Sequence, residues 1–172
     1  MNSNIITKFT IGTEQGLSTL LFLTQTIARE KLLPLLPKEQ VENYLSENFS
    51  GQALTVELNS MSNQWLVVYD NDKPAGFARI TSKGERPEVI ANKRAIRIAD
   101  FGVLKEYDDP AIMHSLFDKC WSVCKAYEAI WINEYAENPF IPFFESEGFT
   151  RLNEEIVPEE FFLPGVTLIK QS

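Results

Sequence analysis

The chain has 172 residues, of which 44% are hydrophobic and 12% are aromatic. This is enough apolar side chain for one buried core and too short a chain for two, so we predict a single domain over residues 1–172. The formal net charge of −8 disfavours nucleic acid and anionic membranes as partners and favours cationic ones.

The first third of the chain is predicted to be mostly helical. Apolar residues recur at helical spacing over residues 12–32, where Thr10 or Thr13 can cap the start, and again over residues 38–49 and 52–58. Prolines and a glycine separate these helices. The start of the chain lacks the pattern of a secretory signal and the longest apolar run is too short to cross a bilayer, so a cytoplasmic protein is expected.

An antiparallel hairpin and a buried strand are predicted for the middle of the chain. Residues 65–70 and 75–81 are rich in β-branched and aromatic side chains and are joined by the turn-forming residues 71–74. A polar stretch then leads to a mostly apolar run over residues 95–104, which is typical of a central strand.

The strongest helix signal lies in the second half of the chain. Asp109 and Pro110 are a typical N-cap and first helical residue, and an apolar stripe continues from Ile112 to Cys124. Cys120 and Cys124 lie on that stripe without the additional ligands that a zinc site needs, so we predict buried free thiols and no metal. A strand over residues 129–135, a short helix over 139–147 closed by a glycine, and strands over 149–157 and 166–171 complete the prediction.

This order of elements predicts an α/β fold in which a mixed central sheet carries helices on both faces. The β-α-β unit over residues 95–135 should bring its two strands together in parallel. Ligands in such sheets usually bind beyond the carboxyl ends of the parallel strands, which here means near Val103 and Tyr135.

Two segments of the second half carry a family resemblance. NPFIPFFESEGF, residues 138–149, and VLKEYDDPAIMHSLF, residues 103–117, resemble the final motif and the acetyl-CoA loop of the GNAT superfamily of N-acetyltransferases. Residues 39–80 are in addition similar to bacterial Pai-type polyamine N-acetyltransferases, through YL, LNSMSNQ and AGF. The resemblance implies the GNAT acyl-CoA N-acyltransferase fold, acetyl-CoA as co-substrate, and direct attack of a small cationic amine on the thioester.

The resemblance also implies where acetyl-CoA would bind, and at that place this sequence differs from the family's pyrophosphate-binding motif. In the family, a Gln or Arg, two further residues, and then Gly-x-Gly or Gly-x-Ala let backbone N–H groups at a helix start wrap the pyrophosphate. Asp108, Ala111 and Met113 stand at those positions here, so we expect weakened or lost pyrophosphate binding. The cofactor-binding candidates come from the strand end, the loop and the final helix: Phe101, Gly102, Val103, Ala111, Ile112, Met113, Asn138 and Phe144.

Two catalytic candidates follow from the same resemblance. Phe144 replaces the tyrosine that protonates the leaving thiolate in many relatives, and Tyr135 is the nearest substitute by sequence. Asp100 is the carboxylate within the predicted central strand and a candidate for the base that takes the amine proton. The alternatives are structural: a salt bridge with Arg94 or Arg97 for Asp100, and a half-buried strand position with a surface hydroxyl for Tyr135.

Several other residues have two interpretations. Asn138 could bind the pantetheine arm or cap the helix that follows it, His114 is expected on a solvated helical face, and Phe143 and Phe149 are expected in the core. Four acidic residues could line a site for a cationic amine or form a solvated face: Glu154, Glu155, Glu159 and Glu160.

The leading hypothesis is therefore an acetyl-CoA-dependent N-acetyltransferase for a small amine, and a homodimer is left open. The alternative hypothesis is a binding or regulatory protein of the GNAT fold that has lost coenzyme A binding, motivated by Asp108, Ala111, Met113 and Phe144.

Overall fold

The computed structural model of the chain describes residues 4–152 and 163–171. In this part of the chain one sheet is formed by the strands β1 (Ile5–Thr10), β2 (Asn63–Asp70), β3 (Lys73–Thr81), β4 (Ala95–Val103), β5 (Ala129–Tyr135), β6 (Thr150–Arg151) and β7 (Gly165–Gln171). The helices are α1 (Glu14–Leu32), α2 (Lys38–Asn48), α3 (Gly51–Leu58), α4 (Pro110–Cys124) and α5 (Ile141–Ser146), with a short 3₁₀ turn at Glu88–Ile90. No helix in the described ranges combines the length and the apolar character that crossing a membrane requires.

The sheet is mixed, with strand order β1-β2-β3-β4-β5-β7-β6. Neighbouring strands pair antiparallel except for β4 and β5, which pair parallel and are connected through α4. The predicted mixed sheet and the predicted parallel β-α-β unit are both confirmed.

The N-terminal strand was not predicted. β1 lies at one edge of the sheet and pairs with β2 along its whole length, from Ile5 opposite Asp70 to Thr10 opposite Trp65. Its residues are exposed or half-buried rather than buried, so its sequence carries little of the apolar signal that marks a central strand. The pairing with β2 fixes this segment as a strand.

The two faces of the sheet carry separate cores, because successive side chains of a strand point to opposite faces. On one face, α1, α2 and α3 pack against Trp65, Val67 and Phe77. On the other face, α4 and α5 pack against Leu66, Val68 and strand residues that include Ile98 and Ile132. The helices therefore cover both faces, as the order of elements predicts.

Two of the boundaries that differ from the prediction have clear local reasons. The hairpin turn is only Asn71 and Asp72, whose positive φ angles of 51° and 69° match the tight two-residue turn that suits twisted strands. α5 begins at Ile141 rather than at residue 139, because Asn138 forms a turn with Phe140 before the helix. The predicted glycine stop is Gly148, at a φ of 98°.

The two cysteines are buried free thiols, as predicted. Cys120 and Cys124 both lie in the core between α4 and the sheet. Burial raises the pKa of Cys124 to about 12 and raises the pKa of Cys120 as well. Both side chains therefore stay protonated and pack as small apolar groups.

The close approach of β3 and β4 gives a first testable prediction. A Cβ placed on Gly76 would lie 2.5 Å from the backbone oxygen of Gly102, which cannot move aside without shifting β4. Gly76→Ala should therefore lower the free energy of unfolding by about 1–3 kcal/mol, measured by urea denaturation. Gly51→Ala is the matched control: it meets nothing within 4 Å at the start of α3 and should leave stability equal or higher. Equal losses in the two variants would contradict the prediction.

Candidate active site

The candidate site is the cleft that opens where β4 and β5 separate. The two strands pair only at Ala95–Ala129, Ile96–Ile130 and Arg97–Trp131 and diverge beyond these pairs. β4 also has a bulge at this point, because Arg79 of β3 faces Asp100 while Ile80 faces Ile98, which leaves Ala99 without an opposite residue. The divergence exposes the carboxyl ends of both strands, where the sequence predicts ligand binding.

Two adjoining cavities occupy this cleft. The inner cavity has a volume of about 50 Å³, and its lining includes Lys31, Asp100, Phe101, Glu134 and Tyr135. The outer cavity has a volume of about 300 Å³, shares Lys31 and Tyr135 with the inner one, and has mainly apolar walls. A water needs roughly 10–15 Å³ of such space, so the inner cavity has room for a few waters or one small group, and only the outer one suits a larger ligand.

Lys31 projects from the last turn of α1 into the cleft. Its Nζ donates a hydrogen bond of 2.7 Å to the backbone oxygen of Phe101 on β4 and lies 4.9 Å from the centre of the Phe140 ring. Burial lowers the pKa of Lys31, while the negative charges of Glu134 and Asp100 act in the opposite direction. A protein ammonium thus already lies between the two diverging strands.

Asp100 lies beside the inner cavity and forms a salt bridge across the sheet. Its Oδ2 is 2.9 Å from Nε of Arg79, which faces it on β3, and both side chains are largely buried. Arg79 also lies 3.7 Å from Glu57 and over the Trp65 ring. The structural alternative of a salt bridge is therefore confirmed, and its partner Arg79 was not expected from the sequence: the bulge aligns Asp100 with Arg79.

Glu134 supplies a second carboxylate to the cleft from β5, one residue before Tyr135. Burial raises the pKa of Glu134, and the charge of Lys31 and the amide of Asn138 offset part of that rise. A carboxylate with a raised pKa is a stronger base than one in water, and such groups are common among catalytic acids and bases.

Tyr135 lines both cavities and is only 3% exposed, so the expected half-buried position with a surface hydroxyl is wrong. Its side chain lies in the core that α1, α2 and α3 form on one face of the sheet, and its backbone pairs with Gly165 of β7. Burial and the nearby charges of Glu134 and Glu137 raise the pKa of Tyr135 above that of an ordinary phenol. The phenol is therefore close to the site and is a weaker proton donor than usual.

The N-terminus of α4, where the family resemblance implies pyrophosphate binding, has few backbone N–H groups to offer. Pro110 has none, the N–H of Ala111 donates to Oδ1 of Asp109 at 3.0 Å, and that of Ile112 donates to the Asp109 backbone oxygen at 3.0 Å. Asp108 and Asp109 are exposed and add negative charge at the same place. The residues at this helix start do not fit a pyrophosphate group, because its donors are occupied and the local charge repels it.

Replacing the cap tests this account of α4. Asp109→Ala should lower the free energy of unfolding by about 1 kcal/mol, because the Ala111 N–H loses its acceptor. The same change frees that N–H and removes a negative charge, so affinity for coenzyme A should increase. Chemical denaturation and calorimetric titration measure the two effects. Asp108→Ala is the matched control, since Asp108 caps nothing among the described contacts and its loss should change stability by less than about 0.5 kcal/mol.

The predicted cofactor-binding residues fall into two groups. Phe101 and Val103 line the cleft, and Gly102 lies beside them: a Cβ on Gly102 would lie 3.3 Å from Nζ of Lys31. The others lie away from the cavities or point into the core, as follows: Ala111 is exposed, Ile112 is buried, Met113 is half-buried against the core, Asn138 is buried, and Phe144 is 1% exposed.

Asn138 and Phe144 have structural roles here. Oδ1 of Asn138 accepts a 2.8 Å hydrogen bond from the Phe140 N–H in the turn before α5, whose N-cap residue is Phe140 and has no side-chain cap, so the capping interpretation is wrong. Phe144 packs edge-to-face against Phe101, with 5.0 Å between ring centres, and against Phe143 and Phe149. Phe149 is buried as predicted, whereas Phe143 is only half-buried.

His114 is exposed on α4, as expected, and it also makes contacts. Its ring lies 5.2 Å from that of Phe143, and its Nδ1 lies 3.6 Å from Oε1 of Glu147. These contacts join α4 to the α5 segment at the surface. The four acidic residues between positions 154 and 160 lie outside the described residues.

Sequence reasoning did not select Lys31 or Glu134 as site residues. Lys31 lies in the last turn of an amphipathic helix, where a lysine is ordinarily solvated, and Glu134 is the single charged residue of a largely apolar strand. Glu134 could have been identified by its position. It is a charged residue at the carboxyl end of a predicted strand, beside Tyr135, where ligands are expected to bind.

Solved structures show what this architecture is similar to. The PaiA N-acetyltransferase from Thermoplasma acidophilum in complex with coenzyme A superposes with a TM-score of 0.78 at 13% identity, covering 98% of this chain and 99% of that chain. A GCN5-related N-acetyltransferase from Rhodopseudomonas palustris gives 0.73 at 15% identity, covering 100% and 99%. The ribosomal-protein-S18-alanine N-acetyltransferase from Escherichia coli gives 0.65 at 12% identity, covering 96% and 94%.

No protein-family model and no curated protein matches the sequence. The similarity to solved structures nevertheless extends over nearly the whole of both chains. The chain therefore has the GNAT fold, as the sequence resemblance implies.

Proposed function

We propose that this chain is an N-acetyltransferase that transfers the acetyl group of acetyl-CoA to a small cationic amine, by direct attack of the amine on the thioester. The observation that carries the proposal is the position of the Lys31 ammonium in the cleft. It donates a hydrogen bond to the Phe101 carbonyl of β4 and interacts with the negative charges of Glu134 and Asp100. A cleft that holds one amine in this way has the chemistry to hold another. The GNAT fold, shared with N-acetyltransferases, agrees with this activity.

Glu134 is proposed as the base that takes the amine proton. Its raised pKa brings it nearer to the working pH than an exposed carboxylate, which is the condition for efficient general-base catalysis. Asp100, the base candidate from the sequence, is held by Arg79 at 2.9 Å and serves better as a fixed negative charge that attracts the substrate cation. The net charge of −8 favours approach of such a cation from a distance.

The leaving thiolate needs no buried acid in this scheme. Phe144 has no proton to give, and Tyr135 is a weakened donor because its pKa is raised. A thiol has a pKa of about 8.5, so the thiolate can leave and take its proton from water. Tyr135 lines both cavities and is proposed to orient the thioester rather than to protonate it.

The donor is proposed to be held through its thioester end, since the start of α4 does not fit the pyrophosphate. A truncated thioester, S-acetyl-N-acetylcysteamine, lacks the nucleotide portion altogether. If that portion contributes little, kcat/KM for the truncated donor should be close to that for acetyl-CoA. A large preference for acetyl-CoA would show that the nucleotide is bound elsewhere on the chain.

Thiol release tests the proposal. The purified protein is incubated with acetyl-CoA and a panel of amines that includes polyamines, and free thiol is measured against reactions without amine or without protein. Amine-dependent thiol release supports the proposal, and no release across a broad panel and both thioester donors contradicts it.

A second candidate function is a binding or regulatory protein of the GNAT fold that does not bind coenzyme A. The occupied N–H groups and the two aspartates at the start of α4 favour it. This candidate predicts no change in melting temperature with millimolar coenzyme A, whereas saturable stabilisation by coenzyme A would exclude it.

A further inference from the structure

Lys31 is in an unusual place for a lysine. A lysine near a helix end normally extends its side chain along the surface and keeps its ammonium in water. Lys31 instead directs its ammonium into the cleft, where the Phe101 carbonyl accepts a 2.7 Å hydrogen bond and the Phe140 ring lies 4.9 Å away. Helix α1 packs closely against β4 at this point: a Cβ added to Gly102 would lie 2.6 Å from Cγ2 of Ile27 and 3.3 Å from Nζ of Lys31.

The groups that face this amine suit acyl transfer to nitrogen. Glu134 comes from β5 and Asp100 from β4, and both act on the charge of Lys31. Glu30 and Glu137 line the outer cavity with Lys105, so the surroundings contain more acidic than basic groups. Removal from water lowers the pKa of the amine, which increases the share of its neutral, nucleophilic form.

We propose that Lys31 is a site of self-acylation, at which its Nζ accepts the acetyl group of a thioester bound in the outer cavity. The inference rests on the proposed function, because it uses the same donor and the same cleft. It goes further by assigning an acceptor within the chain itself, at the position that an external amine would otherwise take.

The chemistry balances without any additional reactant. The ammonium of Lys31 first gives a proton to Glu134, and the neutral Nζ then attacks the thioester carbonyl carbon. The C–N bond forms, the C–S bond breaks, and the thiolate takes the second proton that the attacking nitrogen loses, so the products are acetyl-Lys31, a free thiol and the proton left on Glu134. The acetylated side chain is uncharged, which removes the positive charge from between Asp100 and Glu134.

Site-resolved acetylation of the wild-type full chain tests the inference. The protein is incubated without added amine, in parallel with acetyl-CoA and with S-acetyl-N-acetylcysteamine, and acetyl occupancy at each lysine is followed by peptide mass spectrometry. Three exposed lysines serve as internal references: Lys38, Lys73 and Lys125. Lys31 should react faster than these by about 10²-fold, the lower range of what a positioned base contributes, with at least one of the two donors.

Variants distinguish acetylation of Lys31 that depends on the cleft from the general reactivity of lysines towards a thioester. Lys31→Arg keeps a cation in the cleft and should abolish the modification at this position. Glu134→Gln should slow acetylation of Lys31 and leave the exposed lysines unchanged. Lys125→Arg is the matched control and should leave Lys31 acetylation at the wild-type rate.

The outcomes distinguish this inference from the function on which it rests. If an added amine is acetylated while Lys31 reacts no faster than the exposed lysines, the self-acylation inference is overturned and the proposed function stands. If neither Lys31 nor any amine is acetylated by either donor, both are overturned. Preferential acetylation of Lys31 that depends on Glu134 supports both.

Discussion

Glu134→Gln should lower kcat/KM for amine acetylation by about 10²–10⁴-fold, the usual contribution of a general base. The substitution keeps the size of the side chain and removes the group that accepts the amine proton. Because burial already raises the pKa of Glu134, the wild-type rate should fall as the pH decreases through that raised pKa and the carboxylate becomes protonated. The variant should keep only the pH dependence that comes from ionisation of the amine substrate.

A matched control for this prediction lies on the same segment. Glu128 precedes β5 at its other end, is exposed, and lies 3.6 Å from Arg94. Glu128→Gln removes an equal charge from the protein outside the cleft, so activity should stay within about twofold of wild type, as surface changes usually have small effects. A Glu134→Gln variant with wild-type activity and pH profile would show that another group takes the proton, and Asp100→Asn would then be the next test.

Phe144→Ala should be strongly destabilising, by about 3–5 kcal/mol in free energy of unfolding, which is the usual cost of removing a buried phenylalanine side chain. Phe144 is 1% exposed and joins α5 to the sheet through Phe101, whose ring centre is 5.0 Å away. It also contacts Phe149, so the cavity that remains has aromatic walls on several sides. Urea denaturation monitored by tryptophan fluorescence measures the loss.

Two control variants test whether the loss of stability comes from the buried position of Phe144 rather than from removing a phenylalanine as such. Phe22→Ala removes a phenylalanine that is 50% exposed on α1, and it should cost far less. Phe144→Tyr adds a hydroxyl that would enter an aromatic cluster, and an unpaired buried hydroxyl costs about 1–3 kcal/mol. A stable Phe144→Tyr variant with increased activity would contradict the structural role assigned to this residue.

The sequence predicts the fold well where local signals and packing agree. Asp109 and Pro110 start α4 as expected, β5 has the predicted bounds, and β4 and β5 pair in parallel as the β-α-β order requires. The edge strand β1 was not predicted, because its residues favour a strand but its exposed edge position gives it no buried apolar run. Side-chain spacing within one segment contains no information on its pairing with β2.

The site is less predictable because its residues meet through three-dimensional geometry. The loop substitutions at Asp108, Ala111 and Met113 are visible in sequence, and the helix start indeed has its donors occupied. The proximity of Lys31 to Phe101 joins residues 70 positions apart and depends on how α1 packs on β4. The salt bridge of Asp100 to Arg79 depends on a β-bulge, and no residue type in this segment predicts that bulge.

The most direct test of the acetyltransferase proposal is amine-dependent thiol release by the wild-type protein and by Glu134→Gln in the same assay, with acetyl-CoA and the truncated thioester as donors. We expect thiol release that requires the amine, is similar for the two donors, and is about 10²–10⁴-fold slower in the variant. No amine-dependent thiol release by the folded wild-type protein with either donor would contradict it.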